Sequence, residues 1–347
     1  MSARAITQFI SSPVRKLTYL SLLFRASLIG ALGVLTSACN SITPIVTSPQ
    51  IAPEPYTPNV ALVLGGGGAK GFAHVGVIKA LEENGITPTW VVGTSVGSLV
   101  GSLYASGYTA AQLEQVALTT PDSALTDFTL SNQGFIEGIK LKNFINAKVG
   151  GQLIEEFPIS FAAIAAEKDS LKKAVFTTGN AGLAVQASCS VPNIFIAPRI
   201  PEKVGKKYID GGVVSLVPVD SARDLGADIV IAVDVTDPNS GSDTTIANHN
   251  NLPISRLYDI NSFSNFWGLL EQSLAANLNS NVAVNSTSNH ERQRADIIIT
   301  PNVSHISSLD TSQRRALISA GSQATKPQIT AIKQLIKDKS NSKYTML

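Results

Sequence analysis

The chain has 347 residues with 27 Lys and Arg against 25 Asp and Glu, a formal net charge of +2, and charged residues make up only 15 % of it. Charges so few and so balanced exclude a nucleic-acid-binding protein and an intrinsically disordered one, and 44 % hydrophobic residues without a long apolar run exclude a polytopic membrane protein. Two cysteines, Cys39 and Cys189, far apart in different surroundings, build neither a disulfide framework nor a zinc site.

The charge is unevenly placed. Arg4, Arg15, Lys16 and Arg25 are the only charged residues before Cys39, and Arg25 is followed by a short apolar stretch from Ala26 to Leu35 and the small residues Thr36, Ser37 and Ala38. A basic start, a short apolar core and small residues describe a secretory signal peptide over residues 1–38. With a cysteine next in line it resembles the lipoprotein type, which implies cleavage before Cys39 and lipidation of that residue; it departs from that type in having Thr36 where Leu is usual. An uncleaved span from Leu17 to Leu35 would instead hold Arg25 near mid-membrane, at a cost of about 2.5–3.5 kcal/mol. Residues 39–58 hold five prolines and no helical or strand period, and are expected to be an extended tether. Past residue 38 the chain keeps 23 basic and 25 acidic residues, a net of −2. The expectation is therefore an exported protein on a bacterial membrane, facing the periplasm or the exterior, held by a lipid on Cys39 and not by surface charge.

A folded domain is expected over 59–347. Val60 to Leu64 is a short apolar run stopping at four glycines, as a buried parallel strand does. Helical spacing follows from Ala69 to Asn84, with a stop at Gly85. A strand at Trp90 to Val92, a helix from Val96 to Ser106 and a helix from Ala110 to Leu118 capped by Thr109 come next. Further strands are expected at Ile159 to Ala165, Ala174 to Thr178, Ile229 to Val235 and Ile297 to Thr300. Helices are expected at Lys140 to Ala147, Gly182 to Ala187, Pro218 to Leu225, Ser264 to Leu278, and Thr311 to Lys337 with a break near Pro327. This alternation predicts an α/β fold with a mainly parallel sheet between helical layers, its active site in the loops after the strands. Residues 121–157 mix Phe128, Leu130, Phe135, Ile136, Leu141 and Phe144 with polar residues and are the candidate for a mobile cover.

Three such loops carry chemistry. Gly65 to Gly71 is glycine-rich between strand and helix, so successive N–H groups can turn toward one anion. Its Gly66-x-Gly68-x-x-Gly71 spacing also fits a dinucleotide fingerprint, but the next strand ends in Gly93-Thr94-Ser95 and not in an acidic residue. A phosphate loop needs Ser or Thr after Lys70, where Gly71 stands. A bare glycine turn is the remaining alternative. The second loop, Gly93-Thr94-Ser95-Val96-Gly97 between strand and helix, has the pattern of a nucleophile elbow. The third, Asp210-Gly211-Gly212, is by itself only a turn with a carboxylate.

Together, in this order, the three motifs resemble the patatin-like phospholipase family. The resemblance covers roughly Asn59 to Val235 and includes Ala187-Ser-Cys-Ser-Val-Pro192. It implies a three-layer α/β/α patatin-like fold and a serine acyl hydrolase of membrane lipids, of the phospholipase A or lysophospholipase kind, with no metal or cofactor. Ser95 is implied as nucleophile and Asp210 as base, with an oxyanion on the N–H groups of Gly66, Gly67 and Gly68. Lys70 lies where the family carries a basic residue, and Gly71, Gly93, Gly97, Gly211 and Gly212 support the motifs. The implied partners are a phospholipid or lysophospholipid substrate and the membrane reached through Cys39, with no nucleic acid.

One alternative is an α/β-hydrolase esterase with a Ser-His-Asp triad, since His249, His290 and His305 follow Ser95 in the chain. His74, inside the first helix, is expected to pack there, and replacing each histidine by Ala is expected to leave esterase activity largely intact. The other alternative is a catalytically silent lipid-binding lipoprotein. Cys189 is expected to be a small buried residue.

Overall fold

The computed structural model describes residues 56–236 and 290–342, apart from residues 132 and 309. The expected signal segment, Cys39, residues 39–55 of the tether, His249 and the expected helix from Ser264 to Leu278 lie outside the described residues.

Strand β1 (Val60–Leu64) is buried along its length. Leu62 and Leu64 enter one core cluster, while Ala61 and Val63 enter a second on the opposite face. A strand walled in on both sides has no use for polar residues, which is why it reads as an unbroken apolar run. The helix expected from Ala69 begins later: Gly68–Gly71 is a 3₁₀ turn, and helix α1 (Phe72–Glu82) continues from it. Strand β2 (Trp90–Thr94) leads to helix α2 (Val96–Ala105), followed by helix α3 (Ala110–Thr119). Thr109 and Gln112 cap α3 reciprocally: Thr109 Oγ1 accepts the Gln112 N–H and Gln112 Oε1 accepts the Thr109 N–H.

Residues 121–157, expected as a cover, are instead tied into the body. Strands β3 (Phe128–Ser131) and β4 (Gly134–Ile136) form an antiparallel hairpin before helix α4 (Ile139–Lys148). The Asp127 carboxylate accepts the N–H groups of Gly138, Ile139 and Lys140, closing the start of α4. Ile136, Leu141 and Ile145 are buried and Phe144 packs against the core, whereas Phe128 and Phe135 stay exposed.

Next come β5 (Ser160–Glu167), β6 (Lys173–Phe176), helix α5 (Ala181–Ser188), β7 (Arg199–Ile200), β8 (Lys206–Asp210), helix α6 (Val219–Asp224), β9 (Ile229–Val233) and β10 (Ile297–Ile299). The chain ends in α7 (Arg314–Thr325) and α8 (Ile329–Ser342), separated by a 3₁₀ turn at Lys326–Gln328 that contains Pro327, the expected break. Among the described residues the main sheet has the order β10-β9-β1-β2-β5-β8-β7, with β6 also paired to β5. The run from β10 to β5 is parallel, and β6, β7 and β8 pair antiparallel. Helices α1 and α2 line one face of the parallel part and α6 the other, giving three layers.

Candidate active site

Ser95 follows β2 directly, with φ 54° and ψ −125°, a conformation that costs a non-glycine residue about 1–3 kcal/mol. Its backbone is held from both sides. The Ser95 N–H donates to Ser188 Oγ at 2.9 Å, and the Ser188 hydroxyl donates to the Ile164 carbonyl at 2.5 Å. The Ser95 carbonyl accepts from the N–H groups of Ser98 and Leu99 and from Ser98 Oγ. The flanking glycines are set by clearance: a Cβ on Gly97 would fall 2.0 Å from the Leu64 carbonyl oxygen, and one on Gly93 would fall 2.4 Å from that of Gly97.

Asp210, 115 positions further along, reaches this serine through strand register. Strand β5 pairs with β2 as far as Ile164 with Thr94, and its next residue, Ala165, pairs with Asp210. Because β6 occupies Ala163 to Ala166 from the opposite edge, β2 and β8 must lie on the same edge of β5, meeting carboxyl end to carboxyl end. Asp210 therefore stands where the partner of Ala165 belongs, just as β2 turns away at Ser95. Gly211 packs on the Ile164 carbonyl, and Thr94 Oγ1 donates to the Ser215 carbonyl at 2.8 Å, closing the junction.

Asp210 is 2 % exposed. Its Oδ1 accepts the Gly212 N–H at 2.7 Å, while Oδ2 has no partner at hydrogen-bonding geometry. Burial pushes its pKa up to about 6; the nearby Ser95 hydroxyl and the Gly212 N–H pull the other way. The Ser95 hydroxyl thus acts on the carboxyl from a looser distance than a formed bond, as is common in unliganded sites.

The glycine loop closes over the serine: a Cβ on Gly66 would lie 3.4 Å from Ser95 Cβ. The expectation of three anion donors is corrected here, because the Gly66 N–H already donates to the Leu216 carbonyl at 3.0 Å. The N–H groups of Gly67 and Gly68 meet no acceptor among the described residues, and Gly68 has φ 58°. Lys70 makes no ion pair among the described residues. Gly71 lies against Val96, the residue after the serine.

His74 packs inside α1 as expected, and it also anchors the loop. Its Nε2 lies 2.8 Å from the Gly65 carbonyl oxygen, which assigns the proton to that nitrogen. Complete burial lowers its pKa to about 4, so it is neutral at ordinary pH. His290 and His305 are exposed. Cys189 is buried, as expected, with its sulfur 3.8 Å from Ser98 Oγ. Burial, and then the Asp210 charge, push its thiol far up and keep it protonated.

Two contributors escape sequence reasoning. Ser188 holds the elbow; the sequence includes it in the Ala187 to Pro192 run that resembles the family but does not mark its role. Glu291, 3 % exposed, accepts the Ser215 hydroxyl at 2.6 Å, and burial raises its pKa. Its neighbour Arg292 pairs with buried Asp234 at 2.6 Å, just beyond β9. No pattern in the sequence marks either residue.

Residues 62–223 match the patatin-like phospholipase family. An uncharacterized NTE family protein of Mycobacterium bovis is 34 % identical over 191 residues, which are 53 % of this chain and 51 % of that protein. Patatin-like phospholipase domain-containing protein 6 of Homo sapiens is 34 % identical over 182 residues, 51 % of this chain and 13 % of that protein. Lysophospholipase NTE1 of Coccidioides immitis is 36 % identical over 183 residues, 51 % of this chain and 11 % of that protein. The chain thus spans about half the length of the mycobacterial relative and far less of the other two. Among solved structures, VipD from Legionella pneumophila aligns with a TM-score of 0.53 at 14 % identity, over 80 % of this chain and 67 % of that one, a likeness of fold alone.

Proposed function

The chain belongs to the patatin-like phospholipase family, and from that premise we propose that it is a serine acyl hydrolase of membrane lipid esters working through Ser95 and Asp210. Ser95 Oγ attacks the ester carbonyl carbon while its proton passes to Asp210 Oδ2. The oxyanion is received by the N–H groups of Gly67 and Gly68; one such donor is typically worth about 2.7–4 kcal/mol. Collapse breaks the ester bond, and Asp210 returns the proton to the departing alcohol. Water, deprotonated by the same carboxylate, then attacks the acyl-enzyme, releasing the fatty acid and restoring Ser95.

The observation that carries this is the buried Asp210 Oδ2, without a hydrogen-bonding partner, in register beside the strained Ser95. A carboxylate with its pKa lifted to about 6 is a stronger base than an exposed one and is still ionised at neutral pH. Against a triad, His290 and His305 are exposed, and the Nε2 of His74 is given to a carbonyl. A silent lipid carrier would have no need to hold a serine at positive φ.

The test is labelling with a fluorophosphonate, together with acyl release from a panel of phospholipids, lysophospholipids and acylglycerols. Labelling is expected at Ser95 and nowhere else, with hydrolysis of at least one phospholipid class. Undiminished hydrolysis in Ser95→Ala would overturn the assignment. We further propose that residues 1–38 are an export signal and that a lipidated Cys39 anchors the protein. Intact mass spectrometry of the membrane-extracted protein checks this, through an acylated N-terminus at Cys39 that is lost in Cys39→Ser.

A further inference from the structure

Beyond the dyad, β8 and β5 run on past the site. Lys168 N–H donates to the Lys207 carbonyl, three residues outward from the Asp210 pairing, or about 10 Å at strand spacing. Three turns meet there. The β5–β6 turn holds Leu171, 46 % exposed, and the β7–β8 turn holds Val204, 83 % exposed. The β3–β4 hairpin holds Phe135, 38 % exposed, and is joined to β8 by the hydrogen bond from Lys207 Nζ to Gln133 Oε1. A cleft of about 200 Å³, lined by Gln133, Lys168, Leu171, Asn193 and Phe195 among others, lies between the hairpin and the β5–β6 turn; neither Ser95 nor Asp210 lines it.

Single exposed apolar residues are ordinary; apolar tips gathered on adjacent turns are not. Two of these residues also sit on turns with left-handed backbone. Leu171 sits at φ 53°, where Asn or Gly is more at ease, and gains little by burial in return. Val204, a β-branched residue, occupies a tip beside Lys203 at φ 69°. The charge around them is one-sided. Residues 167–173 and 199–207 hold seven Lys and Arg against Glu167, Asp169 and Glu202, in a chain that is net acidic beyond residue 38. Glu167 and Glu202 are already paired with Lys206 and Lys142. Lys168, Lys172 and Lys203 form no ion pair among the described residues.

The geometry points to a docking surface for an anionic lipid bilayer: Leu171, Val204 and Phe135 enter the headgroup region while Lys168, Lys172 and Lys203 face its phosphates. The charge complementarity selects anionic lipid, and the position beyond the carboxyl ends of β2 and β5, at the amino end of β8, brings the dyad to the membrane surface that holds its substrate. This departs from the expectation, taken from net charge alone, that a lipid on Cys39 and not surface charge holds the protein at its substrate. It deepens the proposed function, which supplies the reason for docking, but binding itself can be measured without catalysis.

The experiment uses the full chain carrying Ser95→Ala and Cys39→Ser, so that neither turnover nor a lipid anchor contributes. Val204→Cys then offers the exposed thiol, and a nitrobenzoxadiazole label on it reports entry into lipid. A blue shift is expected with vesicles of phosphatidylcholine and phosphatidylglycerol, and none with phosphatidylcholine alone. Neutralising Lys168, Lys172 and Lys203 to Gln should weaken partitioning roughly 100-fold, since each basic residue at such a surface is worth about a fivefold change. In the chain with Ser95 intact, the ratio of vesicle hydrolysis to hydrolysis of a short water-soluble ester should fall with it. No blue shift, an equal shift on both vesicles, or a shift indifferent to the three lysines overturns the proposal. If the soluble ester itself is not hydrolysed, the assignment of the dyad fails while the docking surface still stands or falls by the label.

Discussion

The two halves of the sheet are built on opposite terms. In β1 and β9 every residue is buried, and the strands read VALVL and IVIAV. In the antiparallel flank, β6 alternates exposed and half-buried residues, and β8 begins with two lysines. The proposed nucleophile belongs to the first half and its proposed base to the second. The rigid half can hold a strained serine because the surroundings over-determine it, whereas the flank delivers one carboxylate by register and turns the rest of its length to solvent.

The sharpest way to break this pairing is to remove either member. Ser95→Ala and Asp210→Asn should each lower turnover of a lipid ester on the order of 10⁴-fold or more, with circular dichroism showing the fold retained. Substantial activity in Asp210→Asn would detach the flank from the chemistry. Next in size is a stability effect of opposite sign. Burial favours the neutral form of Asp210, so between its ordinary value of 3.8 and about 6 the folded chain binds more protons than the unfolded one, and stability falls as pH rises through that window. Asn cannot ionise, so Asp210→Asn should be more stable than the parent by about 3 kcal/mol in urea denaturation at pH 8, with the gain gone below about pH 4. The pH profile comes third: kcat/KM should fall about tenfold per unit below an apparent pKa near 6, and a limb near 4 would mean that burial does not raise the carboxylate that acts as base. The smallest effects concern the supports. Ser188→Ala leaves the Ser95 N–H and the Ile164 carbonyl without their shared partner, and His74→Phe strips the Gly65 carbonyl. Each should cost about 1–3 kcal/mol in thermal or urea unfolding. Turnover should drop roughly tenfold at little change in KM, with Ser188→Thr restoring most of it.

What the sequence revealed follows the same division. The buried parallel strands announce themselves because both faces are apolar, and the G-x-S-x-G elbow because backbone clearance at Gly93 and Gly97 admits nothing larger. The turn at Asp210-Gly211-Gly212 is visible as a turn, but its seat beside Ser95 depends on β8 pairing with Ala165 to Glu167, and a non-local register leaves no local mark. The Gly66 N–H reads as an anion donor because a glycine shows that a backbone can bend, not which carbonyl it meets; the Leu216 carbonyl accepts it. Residues 121–157 read as a loose cover since their aromatics alternate with polar residues, and the Asp127 carboxylate that secures α4 lies eleven residues before Gly138, on the far side of the hairpin. Ser188 and Glu291 act through hydrogen bonds across the fold, which composition does not record.

Both proposed members of the dyad are measured off one ruler, the edge of β5. A slip of β8 by one residue would send the Asp210 side chain through to the other side of the sheet, so the pair has no partly correct arrangement. During synthesis, β1, β2 and the elbow emerge more than a hundred residues before Asp210, and a chain at that stage has a serine without its proposed proton acceptor. Under the proposed mechanism, acyl-transfer competence is thus a late and all-or-none property of the polypeptide. The proposed hydrolysis could then not begin until β8 has closed on β5, and a simple esterase assay would double as a clock for that closure.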